Sequence, residues 1–90
     1  MKQFIYACES AYSNQSGICR YVNINHIVEL NIVKTQYEIN VEITLTNNQR
    51  MIVLHEDDIR LLVGDEEAHE IFRIMRMFRE EKAKEVKKYA

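Results

Sequence analysis

Ile39-Asn40-Val41-Glu42-Ile43-Thr44-Leu45-Thr46-Asn47-Asn48-Gln49-Arg50-Met51-Ile52-Val53-Leu54 is the stretch on which the fold turns. Ile39, Val41, Ile43 and Leu45 alternate with Asn40, Glu42, Thr44 and Thr46, which predicts a strand with one buried face. Asn47-Asn48 tolerates the positive φ of a two-residue hairpin turn, so residues 50–55 are expected to return as the antiparallel partner. Met51 to Leu54 are all apolar. Either both faces of that strand are covered, or its second face meets another copy of the chain.

Toward the N-terminus the same alternation recurs. Residues 27–33 read as a strand with Val28, Leu30 and Ile32 on one side and Glu29 and Asn31 on the other, and Lys34-Thr35-Gln36 is the expected turn. Asn23-Ile24-Asn25-His26 predicts a tight turn, because asparagine side chains bond neighbouring backbone in competition with a ladder. Residues 18–24 and 2–8 are further strands. Residues 9–17, Glu-Ser-Ala-Tyr-Ser-Asn-Gln-Ser-Gly, are the longest expected loop.

Toward the C-terminus the character changes at Gly64. Asp57 or Asp58 can cap a short helix through Val63, Gly64 suits a left-handed terminating position, and Asp65 can cap the next helix. That helix is expected over about residues 66–88, roughly 34 Å at 1.5 Å per residue. A strand of five or six residues spans about 20 Å, so the last turns should overhang. The chain is thus read as one α+β domain: an antiparallel sheet of four to five strands over 1–56, a short helix over 57–63 and a long helix over 65–88.

Composition narrows the function. The chain has 90 residues, 47% hydrophobic and 29% charged, with net charge -2 and no proline. A single small domain of this size has marginal stability unless something is added to it. The charge balance argues against nucleic acid as the partner, since polyanion binding rests on phosphate neutralisation. The apolar run Phe4 to Cys8 is too short for a signal-peptide core, no stretch approaches a membrane span, and a cytoplasmic location is expected. Cys8 and Cys19 lack CxxC spacing and read as two small buried thiols, although a hairpin would bring them close enough to oxidise.

No catalytic or metal constellation is visible. His26, His55 and His69 share no metal-ligand spacing, Asp57-Asp58 and Glu66-Glu67 are adjacent pairs that point apart, and Gly17 and Gly64 form no phosphate loop. The expectation is a protein that is not an enzyme, with no cofactor and no metal.

The long helix carries what remains. At 100° per residue Ala68, Ile71, Phe72, Ile74, Met75, Phe78, Val86 and Tyr89 share one apolar arc, with Met77 on the polar side. Its first half offers more apolar surface than one sheet face needs. Ile71, Phe72, Ile74, Met75, Met77 and Phe78 are therefore the expected homo-oligomer interface. Arg73, Arg76 and Arg79 form a ridge beside this arc, and guanidinium forks grip phosphate or carboxylate; pairing with Glu66, Glu70 or Glu80 on the same helix is the alternative use. Tyr12, Asn14 and Ser16 in the polar loop are the expected further ligand contacts, with Tyr12 stacking on a base.

Residues 21–30, with 41–48 and 51–53, form a strand-turn-strand pattern that resembles the FlbD-like family of small flagellar and swarming-motility proteins, similar to short chains found in phage genomes. The resemblance covers residues 20–59 and implies a compact sheet-and-helix fold. The architecture, a small sheet followed by an arginine-bearing helix, is also similar to phage anti-defence proteins that sequester cyclic nucleotide signals. Two functions are therefore expected: a homo-oligomeric protein holding an anionic ligand such as a nucleotide, or a protein-interaction module acting as a host-protein inhibitor or a motility adaptor.

Overall fold

A computed structural model describes residues 3–9 and 17–89, with side chains through residue 85. Among the described residues the strands are β1 (Phe4–Glu9), β2 (Cys19–Asn23), β3 (Ile27–Lys34), β4 (Ile39–Leu45) and β5 (Arg50–Val53), followed by α1 (Glu56–Val63) and α2 (Asp65–Tyr89). All pairings are antiparallel and the order is β2-β1-β5-β4-β3, an α+β fold with both helices after the sheet.

The alternation in β4 decides the core. Ile39, Val41, Ile43 and Leu45 are all buried, and Met51 and Val53 on β5 join them with Ile5, Ala7 and Val22. Ile59, Ala68 and Ile71 close this face from the helices. Ile52 is half-buried and Leu54 exposed, so the continuous apolar run serves one packed face and one outer face.

The sheet cannot be flat. β2 and β3 are its opposite edges, yet only the 3-10 turn Ile24–His26 joins them. Four peptide units from Asn23 to Ile27 reach at most about 14 Å, whereas four flat strand spacings of about 4.8 Å need roughly 19 Å. The edges must therefore curl toward each other at this end. Two backbone bonds hold the closure: the Ile24 N–H donates to the Gln3 carbonyl at 3.0 Å, and the Thr46 N–H to the His26 carbonyl at 2.9 Å. Asn23 caps the turn, its side-chain oxygen accepting from the Asn25 N–H at 2.9 Å.

Four local expectations need correction. Val28 is a bulge residue, since the β3–β4 register shifts between Ile27 and Glu29. It leaves the face of Leu30 and Ile32 and is exposed. The β4–β5 turn has three residues, closed by the Leu45 N–H to the Gln49 carbonyl at 2.8 Å, and Asn48 alone has positive φ, 68°. Neither Asp57 nor Asp58 caps α1. His55 occupies that position without a side-chain cap bond, and Asp58 is only 1% exposed. Cys8 and Cys19 face each other across β1 and β2 and form a disulfide on the outer face rather than two buried thiols.

Gly64 separates the helices with φ 87° and ψ 165°, a backbone region that side chains disfavour. Space is not the constraint there, as nothing lies within 4 Å of a Cβ at this position. Gly64→Ala should therefore cost about 1–2 kcal/mol through backbone strain alone, measurable as a lower urea midpoint at unchanged m-value.

α2 packs its Ala68, Ile71 and Phe78 side on the sheet, with Phe72 and Met75 half-buried beside them. The Lys34 and Lys82 ammonium groups each lie 5.5 Å from the Phe78 ring centroid and cover the end of the core. Beyond Lys82 the described side chains, Ala83 to Glu85, are exposed. No helix of the described residues is long and apolar enough to cross a membrane.

Candidate functional site

The absence of any loop between α1 and α2 beyond Gly64 folds the short helix against the first turns of the long one. Their outer sides bound a cleft of about 350 Å³ lined by Glu56, Arg60, His69, Phe72, Arg73, Arg76 and Arg79. That volume falls in the range of small-ligand sites. Four guanidinium groups face a single lining carboxylate, which makes the cleft cationic on a chain of net charge -2.

The four arginines are not equivalent. Arg60 lies with its guanidinium carbon 5.3 Å from the Phe72 ring centroid and reaches Asp57 at 3.4 Å, so it is held by a cation–π contact and an exposed ion pair. Arg73 is paired with Glu70 one turn earlier. Hydrogen bonding from Arg73 holds the Glu70 carboxyl below the usual carboxylate range, and the same bond raises Arg73 above its ordinary value. A lowered carboxyl pKa stabilises the folded helix above the ordinary carboxylate range, and that contribution is lost as pH falls through the lowered value. The pair is exposed, so its contribution is small.

Arg76 and Arg79 have no carboxylate in ion-pair reach among the described residues. They stand one helical turn apart on the α1 side of α2, and both line the cleft. Two unpaired guanidinium groups with Arg60 across from them can take a phosphate or carboxylate through forked hydrogen bonds. The aromatic side of Phe72 supplies an apolar wall.

The expected ligand residues divide accordingly. Arg73, Arg76 and Arg79 do meet at one cleft, although intrahelical pairing engages Arg73. Tyr12, Asn14 and Ser16 lie outside the described residues. Arg60 was missed by sequence reasoning, because it sits in a different helix sixteen positions before Arg76; the signal was the single glycine between two helical patterns, which leaves α1 nowhere to go but back along α2. Of the expected interface, Ile71 and Phe78 are buried within the chain and Phe72 and Met75 are half-buried, while Ile74 and Met77 remain 37% and 48% exposed.

Two other concavities differ in character. One, about 300 Å³, is lined by Arg20, Tyr21, His26 and Thr46 among others. Its one guanidinium is already engaged by Gln49, which also donates to Glu9 at 2.7 Å. The other, about 390 Å³, is an apolar groove between β3 and α2 that includes Leu30, Ile32, Ile71 and Ile74. Among the described residues no three His, Cys, Asp or Glu side chains come together as metal ligands.

These features define a small α+β protein with a cationic cleft between two helices. No family model, curated protein or solved structure matches the chain.

Proposed function

We propose that this is a non-enzymatic, self-associating binding protein that holds an anionic small ligand in the α1–α2 cleft. The observation that carries the reading is the pair of guanidinium groups, Arg76 and Arg79, that have no ion-pair partner among the described residues and are set across from Arg60 at the same cleft. A cyclic nucleotide signal, of the kind that phage anti-defence proteins sequester, has the phosphate for the arginines and a flat ring for the Phe72 wall. The proposed setting is cytoplasmic, where the Cys8–Cys19 pair is held reduced and the disulfide form belongs to oxidising conditions.

Arg76→Ala tests this directly. Arg76 is exposed and makes no ion pair, so its removal should leave the melting temperature within about 2 °C of wild type while weakening anion binding by roughly tenfold to a hundredfold, the worth of a charge-assisted hydrogen bond. Calorimetric titration with a nucleotide panel measures it. Equal affinity in wild type and variant counts against the cleft.

A second reading is favoured by β3 being an edge strand among the described residues and by the apolar groove beside it. An exposed strand edge next to an apolar groove can accept an extended segment of another protein. On that reading the chain is a protein-interaction module, a host-protein inhibitor or a FlbD-like motility adaptor. A stoichiometric protein partner that survives Arg76→Ala and high salt would favour it.

A further inference from the structure

The flank of α2 that borders β3 carries Glu70, Ile74, Met77, Glu81 and Lys84, separated alternately by four and three residues, the spacing of a two-helix seam, and Glu70 and Ile74 also line the groove against β3. All five are exposed. The middle residue of this stripe, Met77, is also the middle residue of Asp65–Tyr89. Its apolar centre is Ile74 and Met77, with Glu70 on one side and Glu81 followed by Lys84 on the other.

The order of charges selects an arrangement. Reversing the stripe about Met77, as a two-fold axis does, sets Glu70 opposite Lys84 of a second copy and Lys84 opposite that copy's Glu70. The same operation sets Met77 on the other copy's Met77 at the centre and brings Ile74, with the Arg73 that pairs with Glu70 in its own chain, beside the other copy's Glu81. A parallel, in-register arrangement would oppose Glu70 to Glu70 and Lys84 to Lys84, which is repulsive at both ends. We propose that the occupant of this stripe is a second copy of the chain, in a two-fold dimer of antiparallel α2 helices centred on Met77. This inference rests on the self-association in the reading above and is independent of the anionic ligand.

The stripe also accounts for the exposure of Ile74 and Met77, while Ala68, Ile71 and Phe78 on the same helix are buried within the chain. At 100° per residue Arg76 and Arg79 lie about 120° and 180° around the helix from the centre of the stripe. The cationic clefts therefore stay open in the dimer, one on each outer flank. With two exposed apolar residues per copy the seam is small, so association is weak and sensitive to ionic strength.

Sedimentation equilibrium of the full chain, at low and high salt, tests the pairing through charge reversal. The wild type should show a reversible monomer–dimer equilibrium. Lys84→Glu and Glu70→Lys should each raise the dissociation constant by on the order of tenfold, because each places two repulsive contacts in the symmetric seam. The combined variant restores both pairs and should return to within about threefold of wild type, with circular dichroism confirming equal helix content throughout. A wild type that is monomeric at about 1 mM overturns this pairing and the self-association reading together. An oligomer indifferent to the single reversals, or a combined variant no better than either, overturns this pairing and leaves self-association standing.

Discussion

Asp58→Ala should destabilise the protein by about 2–3 kcal/mol, the cost of leaving a buried polar group without its partner. β5 pairs with β1 only at Ala7, Cys8 and Glu9, so the strand next to Tyr6 has ended. The Asp58 carboxylate, reaching over from the first turn of α1, accepts the Tyr6 N–H at 3.1 Å and takes the place of the missing strand. Alanine removes that acceptor and leaves a void at a position that is 1% exposed. Asp58→Asn retains an acceptor oxygen and should lose less. Urea unfolding of the three proteins gives the comparison; a loss under about 0.5 kcal/mol in the alanine variant would show that the backbone group finds water instead.

Reducing the Cys8–Cys19 disulfide should lower stability by about 3 kcal/mol, or roughly 10–20 °C in melting temperature for a domain of this size. The two cysteines are separated by 11 positions, and the bond closes the β1–β2 hairpin. Among the described residues β2 pairs with β1 alone, so this edge is held by the covalent link, one ladder, the 3-10 turn, the buried Val22 and the Arg20–Gln49 bond. Loss of the link acts on the unfolded ensemble and on the edge, and the helix cleft is formed by other elements. Cys19→Ser should thus melt at the temperature of the reduced wild type while binding anions as the wild type does below that temperature. Equal melting of reduced and oxidised protein would mean that the hairpin closes as readily without the bond.

The strands were legible in the sequence where one face is buried. Ile39, Val41, Ile43 and Leu45 declare β4 because they recur with a period of two, and all four are buried, with Glu42 of this strand buried on the opposite face. The curl was not legible. It comes from the pairing of β1 with β5, a long-range contact that leaves β2 and β3 as edges joined by a three-residue turn, and alternation within a strand carries no information about its neighbours. Val28 escaped for a related reason: a bulge moves one residue out of register without altering composition.

The helices show the same division. Gly64 announced the break between them, and the charge order of α2 announced its ends. Asp58 was misread because an aspartate near a helix start has a local use as a cap, and only tertiary packing sets it on Tyr6 instead. The arginine ridge was visible as Arg73, Arg76 and Arg79 at intervals of three. Which of them remain available was not visible, since that depends on Glu70 choosing Arg73 and on Arg76 and Arg79 having no carboxylate in reach among the described residues. Arg60 and the Phe72 wall needed the fold-back of α1 before they joined the same cleft.

Anion binding between α1 and α2 is reported most directly by the arginine side chains. Titrating isotope-labelled protein with inorganic phosphate, adenosine monophosphate and a cyclic dinucleotide, while following the guanidinium Nε–H signals by NMR, reads each arginine separately. Saturable shifts at Arg60, Arg76 and Arg79, with Arg20 and Arg50 unmoved, are the predicted result. Absence of any shift at millimolar ligand, or shifts centred on Arg20, would contradict it.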